Sequence, residues 1–395
     1  MRVLVLHSEL GVLRGGGENF TRNLFTAFAS RGHQVAAAFV ANHFGRYAIP
    51  LPEAIEPIPI RGWWSRTFGQ QALMTIGGRL SLGNGLRTKW ERVQNAVGWR
   101  TVRWHNQRFR RRIERRFASH WRDFDVVYVH GDPLLAGEAA QHRPTVLRLP
   151  GPVEDELVSV MREVHAVCAN GDALRRVRQV LGDRALELPI GLDDRVFRPG
   201  PSDVRSRLGW NRSHRVAGYV GRLTTYKGVD LLGAAFHEVS KRLPDARLLV
   251  VGSGDEENHL RSTLARQIAD GIVHIEPDVG HDRLSDWYRA LDVLVMPSRY
   301  ENFSNAAIEG MACGVPLLAS NVGGNPMLAA GGGAWLFEAG SVDALTVSLA
   351  NVLDDRSETE ARGRNAAASV CGKYSWTATA RRLEEIIHSE MRAER

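Results

Sequence analysis

Glu301 and Glu309, with seven residues between them, stand in the run Pro297–Ser320, PSRYENFSNAAIEGMACGVPLLAS. The apolar pattern predicts a strand ending near Met296, a loop carrying Glu301 and a helix beginning near Asn305, with Glu309 about one turn inside it. A helix start presents unpaired backbone N–H groups and the positive end of its dipole, which suits an anion. A carboxylate accepts two hydrogen bonds in fixed geometry, which suits the hydroxyls of a sugar. One loop–helix unit can therefore hold a phosphate on backbone donors and two polyols on two carboxylates. A solvated helix glutamate and a loop charge give the same bare spacing, so the surrounding sequence has to decide.

Two cations, Arg222 and Lys227, lie upstream in the loop Gly221–Gly228, directly after the apolar run Arg215–Val220. A pair placed there can neutralise a nucleotide diphosphate and stabilise it as a leaving group, although two surface cations at a strand end look alike. Cations and a helix dipole can carry the phosphate charge, so no metal and no further cofactor are expected. His130 closes the run Val126–Val129, at the carboxyl edge where α/β sheets bind ligands. That position points to a polar active-site role, beside the structural role of many single histidines. Gly252-Ser253-Gly254 lacks the third glycine of a dinucleotide fingerprint, and nothing after Leu6 supplies one, so the pattern does not read as an oxidoreductase.

The elements that position these residues form two series. Val3–Leu6, Val35–Val40, Val126–Val129, Thr145–Leu149 and Val164–Cys168 are short apolar runs. A helix from Glu18 carries Phe20, Leu24 and Phe28 on one face. Strands alternating with helices indicate a doubly wound parallel sheet. The pattern restarts with Arg215–Val220, followed by Arg247–Val251, Ile272–Ile275, Val293–Met296 and Pro316–Ala319. Gly191–Ser202, with Pro199, Gly200 and Pro201, is the linker candidate. Residues 41–100 show little periodicity and read as a long, partly irregular excursion.

Composition sets the outer limits. The chain has 395 residues, 44% hydrophobic and 24% charged, which suits two globular domains. No apolar run approaches the roughly 20 residues of a membrane span. The N-terminus lacks the long apolar region and cleavage site of a signal peptide, so a cytoplasmic location is expected. Cys168, Cys313 and Cys371 lack metal-ligand spacing and read as reduced thiols. Net charge is +7, but residues 61–122 alone carry fifteen Arg or Lys against Glu91 and Glu114, a local +13. Such a stretch asks for an anionic partner.

Taken together, the motifs resemble the retaining glycosyltransferase family 4, the glycosyl transferases group 1, of GT-B fold. The resemblance rests on Glu301/Glu309 with Pro297-Ser298 before and Gly314-Val315-Pro316 after, on Gly221-Arg222-Leu223 with Lys227-Gly228, and on Gly323-Gly324-Asn325-Pro326. It also rests on Gly15-Gly16-Gly17-Glu18, on Arg31-Gly32-His33-Gln34-Val35, on the linker-like Leu188–Pro199 and on the closing Tyr374-Ser375-Trp376. It covers nearly all of the chain except about residues 45–120. The fold it implies is two Rossmann-like doubly wound domains facing across a cleft. An acceptor domain would span 1–192 with a basic excursion at about 45–122. A sugar-nucleotide domain would span 193–372, and a last helix at 373–395 would return to the first domain.

The resemblance assigns Arg222 and Lys227 to the diphosphate and Glu309 to the ribose hydroxyls. It turns Glu301 and the backbone of Asn302, Phe303, Ser304 and Asn305 toward the donor sugar. Gly16 and Gly17 would let backbone approach the diphosphate closely, and His130 would lie near the reacting carbon. Glu18 reads as a cap of the first helix. Asn302 and Ser304 stand where many relatives have Gly, so their side chains are expected to narrow the sugar pocket. The other histidines, His33 among them, read as structural or solvated.

The segment Trp99–Arg122 has its own pattern. Trp99, Val102, Phe109, Ile113, Phe117 and Trp121 form one helical stripe, with Arg100, Arg108, Arg111, Arg112 and Arg115 mostly opposite. Such a helix can lie on an anionic membrane or pack its stripe into the domain. Trp63-Trp64 and Phe68–Ile76 tip the expectation toward membrane contact, at the inner face of the plasma membrane. No motif suggests nucleic acid. The expected activity is retaining transfer of a hexosyl-type sugar from a nucleoside-diphosphate sugar to a saccharide or lipid-linked acceptor, in bacterial envelope polysaccharide or glycolipid synthesis. The rivals are transfer to a soluble small molecule and a non-catalytic sugar-nucleotide or lipid-binding protein.

Overall fold

The computed structural model describes residues 1–11, 16–41, 49–61, 105–151 and 155–393. Two compact units are present. Unit 1 comprises Met1–Ala169, Ala173–Leu188 and Thr379–Arg395; unit 2 comprises Asn170–Asp172 and Pro189–Ala378.

Unit 1 is built on seven strands: β1 Arg2–Leu6, β2 Gln34–Ala41, β3 Ile55–Arg61, β4 Val126–His130, β5 Thr145–Arg148, β6 Ala166–Ala169 and β7 Ala185–Glu187. They pair in the order β3-β2-β1-β4-β5-β6-β7, and every pair is parallel. Central strands of such a sheet are covered on both faces and so read as unbroken apolar runs. β1 is the branching strand, with Val3 opposite Val35 of β2 on one side and Val126 of β4 on the other. That branch is the topological switch point, where ligands bind beyond the carboxyl ends of the strands. The amphipathic helix Gly16–Ala29 buries Phe20, Thr21, Leu24, Phe25 and Phe28.

β3 corrects the expectation of an irregular excursion after residue 41. Its sequence, IEPIPIR, places Pro57 and Pro59 opposite Ala37 and Phe39 of β2. The two prolines are two residues apart, so both missing N–H groups point to the same side. On an edge strand that side is open, and the ladder loses nothing.

For the basic segment, the packing alternative holds over the described residues. Residues 105–117 are helical, followed by the 3-10 turn Trp121–Asp123. Phe109, Ile113, Phe117 and Trp121 are buried in one cluster with Val127, Val129 and Leu147 of the sheet. Arg108, Arg111 and Arg115 are exposed and Arg112 is partly so. The described part of the apolar stripe is therefore in the unit 1 core and is not available for insertion into a bilayer. Trp63, Trp64, residues 68–76, Trp99, Arg100 and Val102 lie outside the described residues.

Unit 2 carries β8 Arg215–Val220, β9 Ala246–Val251, β10 Val273–Glu276, β11 Val293–Met296, β12 Leu317–Ser320 and β13 Ala334–Phe337. Their order is β10-β9-β8-β11-β12-β13, again all parallel. The switch point lies between β8 and β11. Ala217, Tyr219, Leu248, Val250, Val293 and Val295 meet Leu232, Phe236 and Val239 of the helix Val229–Arg242 in one core cluster. Both sheets are thus doubly wound, as the alternation of runs predicts.

The helix Trp376–Ala393 buries Leu383, Ile386 and Ile387. From Thr379 on it belongs to unit 1, where Glu384 accepts from Arg31 Nε at 2.9 Å and pairs with His33 Nε2 at 3.1 Å. His33 also stacks on Phe28, so its role there is structural.

Candidate functional site

Apart from the arginines of residues 105–117, the sequence-predicted residues lie near the switch points of the two sheets, and each group is described within its own unit. In unit 2, β8 leads into Gly221 and Arg222, and the turn Thr225–Lys227 ends on Gly228. Gly228 has φ +72 and caps the next helix; a Cβ there would lie 1.9 Å from the Pro297 carbonyl oxygen. Only glycine lets this turn close onto the loop after β11. Arg299 fastens the same junction. Its guanidinium forms two 2.7 Å bonds to the Asp230 carboxylate and one of 2.6 Å to the Thr225 carbonyl, while its N–H donates to the Tyr226 carbonyl at 2.9 Å. A bidentate guanidinium–carboxylate pair fixes orientation as well as distance, and it holds Asp230 below the usual carboxylate range.

That junction places Lys227 Nζ 2.6 Å from Glu301 Oε2, with the lysine side chain 19% and the glutamate 8% exposed. Ser298 Oγ stands 3.5 Å from the same oxygen. Arg222 reaches the Tyr226 hydroxyl, and both Arg222 and Lys227 lie over the Tyr226 ring, at 5.5 and 5.6 Å. The fold thus brings Glu301 to the loop that carries Arg222 and Lys227, a contact across 74 positions that the loop spacing does not predict.

The helix Asn305–Ala312 starts where expected. Ser304 is its N-cap, its hydroxyl accepting from the Ala307 N–H at 3.2 Å. The Ser304 hydroxyl therefore caps the helix. Asn302 is buried, with its carbonyl oxygen against Gly171 and Gly324. Phe303 packs its ring 5.6 Å from that of Tyr374, and Asn305 is exposed.

Glu309, 9% exposed, is held separately. His281 Nε2 stands 3.2 Å from its Oε1, and the buried Tyr288 hydroxyl donates to its Oε2 at 3.0 Å. Phe197 packs edge-on against both rings, at 5.2 and 6.0 Å. The bond to Glu309 raises the pKa of His281 against the opposing effect of burial. Burial, then the Glu309 charge, pushes the Tyr288 phenol far above its usual range. Neither partner was expected: His281 fell among the solvated histidines, and nothing in the sequence ties it or Tyr288 to a carboxylate so far down the chain.

In unit 1, His130 ends β4 and stacks on His7, which follows β1, with centroids 4.2 Å apart and planes 12° apart. Thr21 lies between them: its Oγ1 is 3.0 Å from His7 Nδ1 and 3.3 Å from His130 Nδ1. A Cβ on Gly17 would come within 2.9 Å of His130 Nε2, so glycine permits this close approach; Gly16 is exposed at the helix start. Glu18, expected as a cap, is buried in the first turn 3.6 Å from His7 Nε2. Burial, then the charges of His7 and Arg148, holds His130 well below the usual histidine range, so it is neutral at pH 7. Arg108, Arg111, Arg112 and Arg115 are not at the switch point. Their helix lies beside Pro133–Ala140, where Arg110 acts on Asp132 and Glu138.

Two Rossmann-like units, each with polar groups at its switch point, define the GT-B class of glycosyltransferase folds. The solved structure of sucrose-phosphate synthase from Thermosynechococcus elongatus shares this fold, with a TM-score of 0.74 at 18% identity over 99% of each chain. More narrowly, residues 214–355, within unit 2, match the family model described as Glycosyl transferases group 1. A D-inositol 3-phosphate glycosyltransferase from Segniliparus rotundus is 36% identical over 200 residues, 49% of this chain and 44% of that protein. A GDP-mannose-dependent monoacylated alpha-(1-6)-phosphatidylinositol monomannoside mannosyltransferase from Corynebacterium glutamicum is 32% identical over 232 residues, 55% of this chain and 60% of that protein. The chain thus spans about half the length of the curated relatives it matches.

Proposed function

We propose that the protein is a retaining, metal-independent glycosyltransferase. It moves a hexosyl-type sugar from a nucleoside-diphosphate sugar to a saccharide or lipid-linked acceptor in bacterial envelope polysaccharide or glycolipid synthesis. The observation that carries this reading is the Lys227–Glu301 pair with Arg222 beside it, at the carboxyl edge of β8 and β11. A diphosphate entering there takes Lys227 from Glu301, which leaves the carboxylate for a donor-sugar hydroxyl. Arg222, Lys227 and the start of helix Asn305–Ala312 then face the phosphates, and Glu309 takes the ribose. In the reaction the bond from the sugar carbon to the phosphate oxygen breaks and the acceptor oxygen bonds the same face. The acceptor proton passes to the leaving phosphate, whose charge the two cations offset. In this reading residues 1–192 bind acceptor, with His130, Gly16 and Gly17 near the reacting sugar. Residues 193–372 bind donor and 373–395 return to the first domain.

Support for the acceptor class comes from the relatives. One is named for a phosphatidylinositol mannoside, and the exposed arginine face of residues 105–117 suits an anionic leaflet. No described helix is long and apolar enough to cross a membrane. The burial of Phe109, Ile113 and Phe117 also favours a second reading, transfer to a small soluble acceptor, in line with the inositol phosphate in the other relative's name.

The test is a panel of UDP- and GDP-sugars screened by thermal shift, because a ligand that binds only the folded state raises the melting point. Free nucleoside diphosphate is then measured on adding acceptor, which separates an enzyme from a binding protein. Arg222→Ala is expected to cost about 2–4 kcal/mol of transition-state stabilisation. A near-wild-type rate in that variant sinks the phosphate assignment.

A further inference from the structure

Thr21 Oγ1 meets three groups at once: the Gly17 carbonyl oxygen at 3.0 Å, His7 Nδ1 at 3.0 Å and His130 Nδ1 at 3.3 Å. At 1% exposure it has no room for competing water. A threonine hydroxyl has one proton and two lone pairs. The Gly17 carbonyl has no proton to offer, and two oxygens 3.0 Å apart require one between them. The Thr21 proton therefore points to Gly17, and both lone pairs are left for the imidazoles. Each imidazole must then donate, so both Nδ1 atoms carry a proton.

For His130 this settles more than orientation. A neutral imidazole with Nδ1 protonated carries its lone pair on Nε2. That nitrogen faces Gly17 across the space a side chain would fill, and it meets no hydrogen-bond partner among the described residues. The stack on His7 holds the ring plane. We propose that Thr21 is a positioning residue: it fixes both histidines as Nδ1–H and presents the His130 Nε2 lone pair as an acceptor for a substrate hydroxyl. The clause about substrate rests on the glycosyl-transfer reading above; the proton assignment does not.

The test uses the whole chain labelled with ¹⁵N-histidine, with His7→Asn and His130→Asn spectra to assign the resonances. Imidazole ¹⁵N shifts at neutral pH separate protonated from lone-pair nitrogens without any ligand. Wild type and Thr21→Ser are expected to show protonated Nδ1 on both rings and a lone pair on His130 Nε2. Thr21→Val, which keeps the shape and removes the acceptor, is expected to move His130 toward the Nε2–H form. It should also lower kcat by about tenfold, with Thr21→Ser restoring it. An Nε2–H form of His130 in wild type, or a Thr21→Val spectrum like wild type, overturns the assignment. Should Thr21→Val not fold, the wild-type and serine spectra still decide. A shifted spectrum with unchanged kcat overturns the role in transfer. Absence of any transfer by wild type counts against the functional reading and leaves the spectra to judge the protons.

Discussion

Lys227→Met makes the most informative perturbation, because it separates what the Lys227–Glu301 pair does for folding from what it does for substrate. The carboxylate is 8% exposed and loses the only cation within ion-pair distance among the described residues, keeping Ser298 Oγ at 3.5 Å. Breaking a fully buried pair by removing one partner costs about 3–5 kcal/mol. Lys227 is 19% exposed, so water supplies part of the lost interaction. A cost of about 2 kcal/mol follows, or a fall in Tm of roughly 4–8 °C for a unit of this size. Adding Glu301→Gln removes the stranded charge, and the double variant should recover most of that loss. Neither variant should regain turnover, since both lack the cation proposed to meet the phosphates. The assay is thermal unfolding of wild type, single and double variants, beside nucleoside diphosphate release. A single variant as stable as wild type, or a double variant no more stable than the single, refutes the reasoning.

Glu309→Ala should weaken nucleotide binding more than any other single change at that site, which titration calorimetry with nucleoside diphosphate checks, and equal affinity ends the ribose assignment; Tyr288→Phe, which removes one bond to a charged oxygen, should cost about 1.5–3 kcal/mol of stability, read by thermal unfolding. His281 has a folded pKa raised above its ordinary 6.5 by Glu309, so its contribution to stability is full below pH 6.5 and lost as pH rises through the raised value. Melting curves from pH 6 to 9 should show wild type losing stability over that window relative to His281→Asn, and parallel curves would remove the charge from the argument. The exposed arginines give a binding prediction: anionic liposomes should retain the protein at low salt, at about 1 kcal/mol per basic residue near the surface, and release it at high salt. Replacing Arg108, Arg111, Arg112 and Arg115 with Gln should abolish retention without changing nucleotide affinity, whereas a wild-type protein that ignores anionic vesicles leaves the soluble acceptor as the better reading.

What was legible in the sequence follows from the range of the physics involved. Strands buried on both faces have to be apolar, so β1, β2, β4, β8 and β11 stand out as runs. β3 did not, because an edge strand tolerates Pro57 and Pro59, which resemble loop punctuation. β7 is three residues long, and β13 follows Gly331–Gly333 closely; neither offers a pattern. Arg222, Lys227, Glu301 and Glu309 were legible because each pair lies within one short loop or helix. His7, Thr21, His281 and Tyr288 were not. Thr21 and His130 are 109 positions apart and His281 is 28 from Glu309, and only the finished fold brings such groups together. The stripe of residues 105–117 shows the same division. Its amphipathic face was plain, but which surface covers that face depends on the sheet beneath it.

The division of the chain between the units has a consequence for how the protein is made. Residues 379–393 belong to unit 1, yet the ribosome produces them after all of unit 2. Until then Arg31 and His33 lack Glu384, and the surface that receives Leu383, Ile386 and Ile387 stays uncovered in the nascent chain. Domains generally fold as units, the N-terminal one first during synthesis. Here that order is reversed at the last step, because unit 2 has all its parts before unit 1 does. A chain truncated after residue 378 should therefore hold a unit 1 that is more readily cleaved by protease than in the whole chain, beside a unit 2 that resists it.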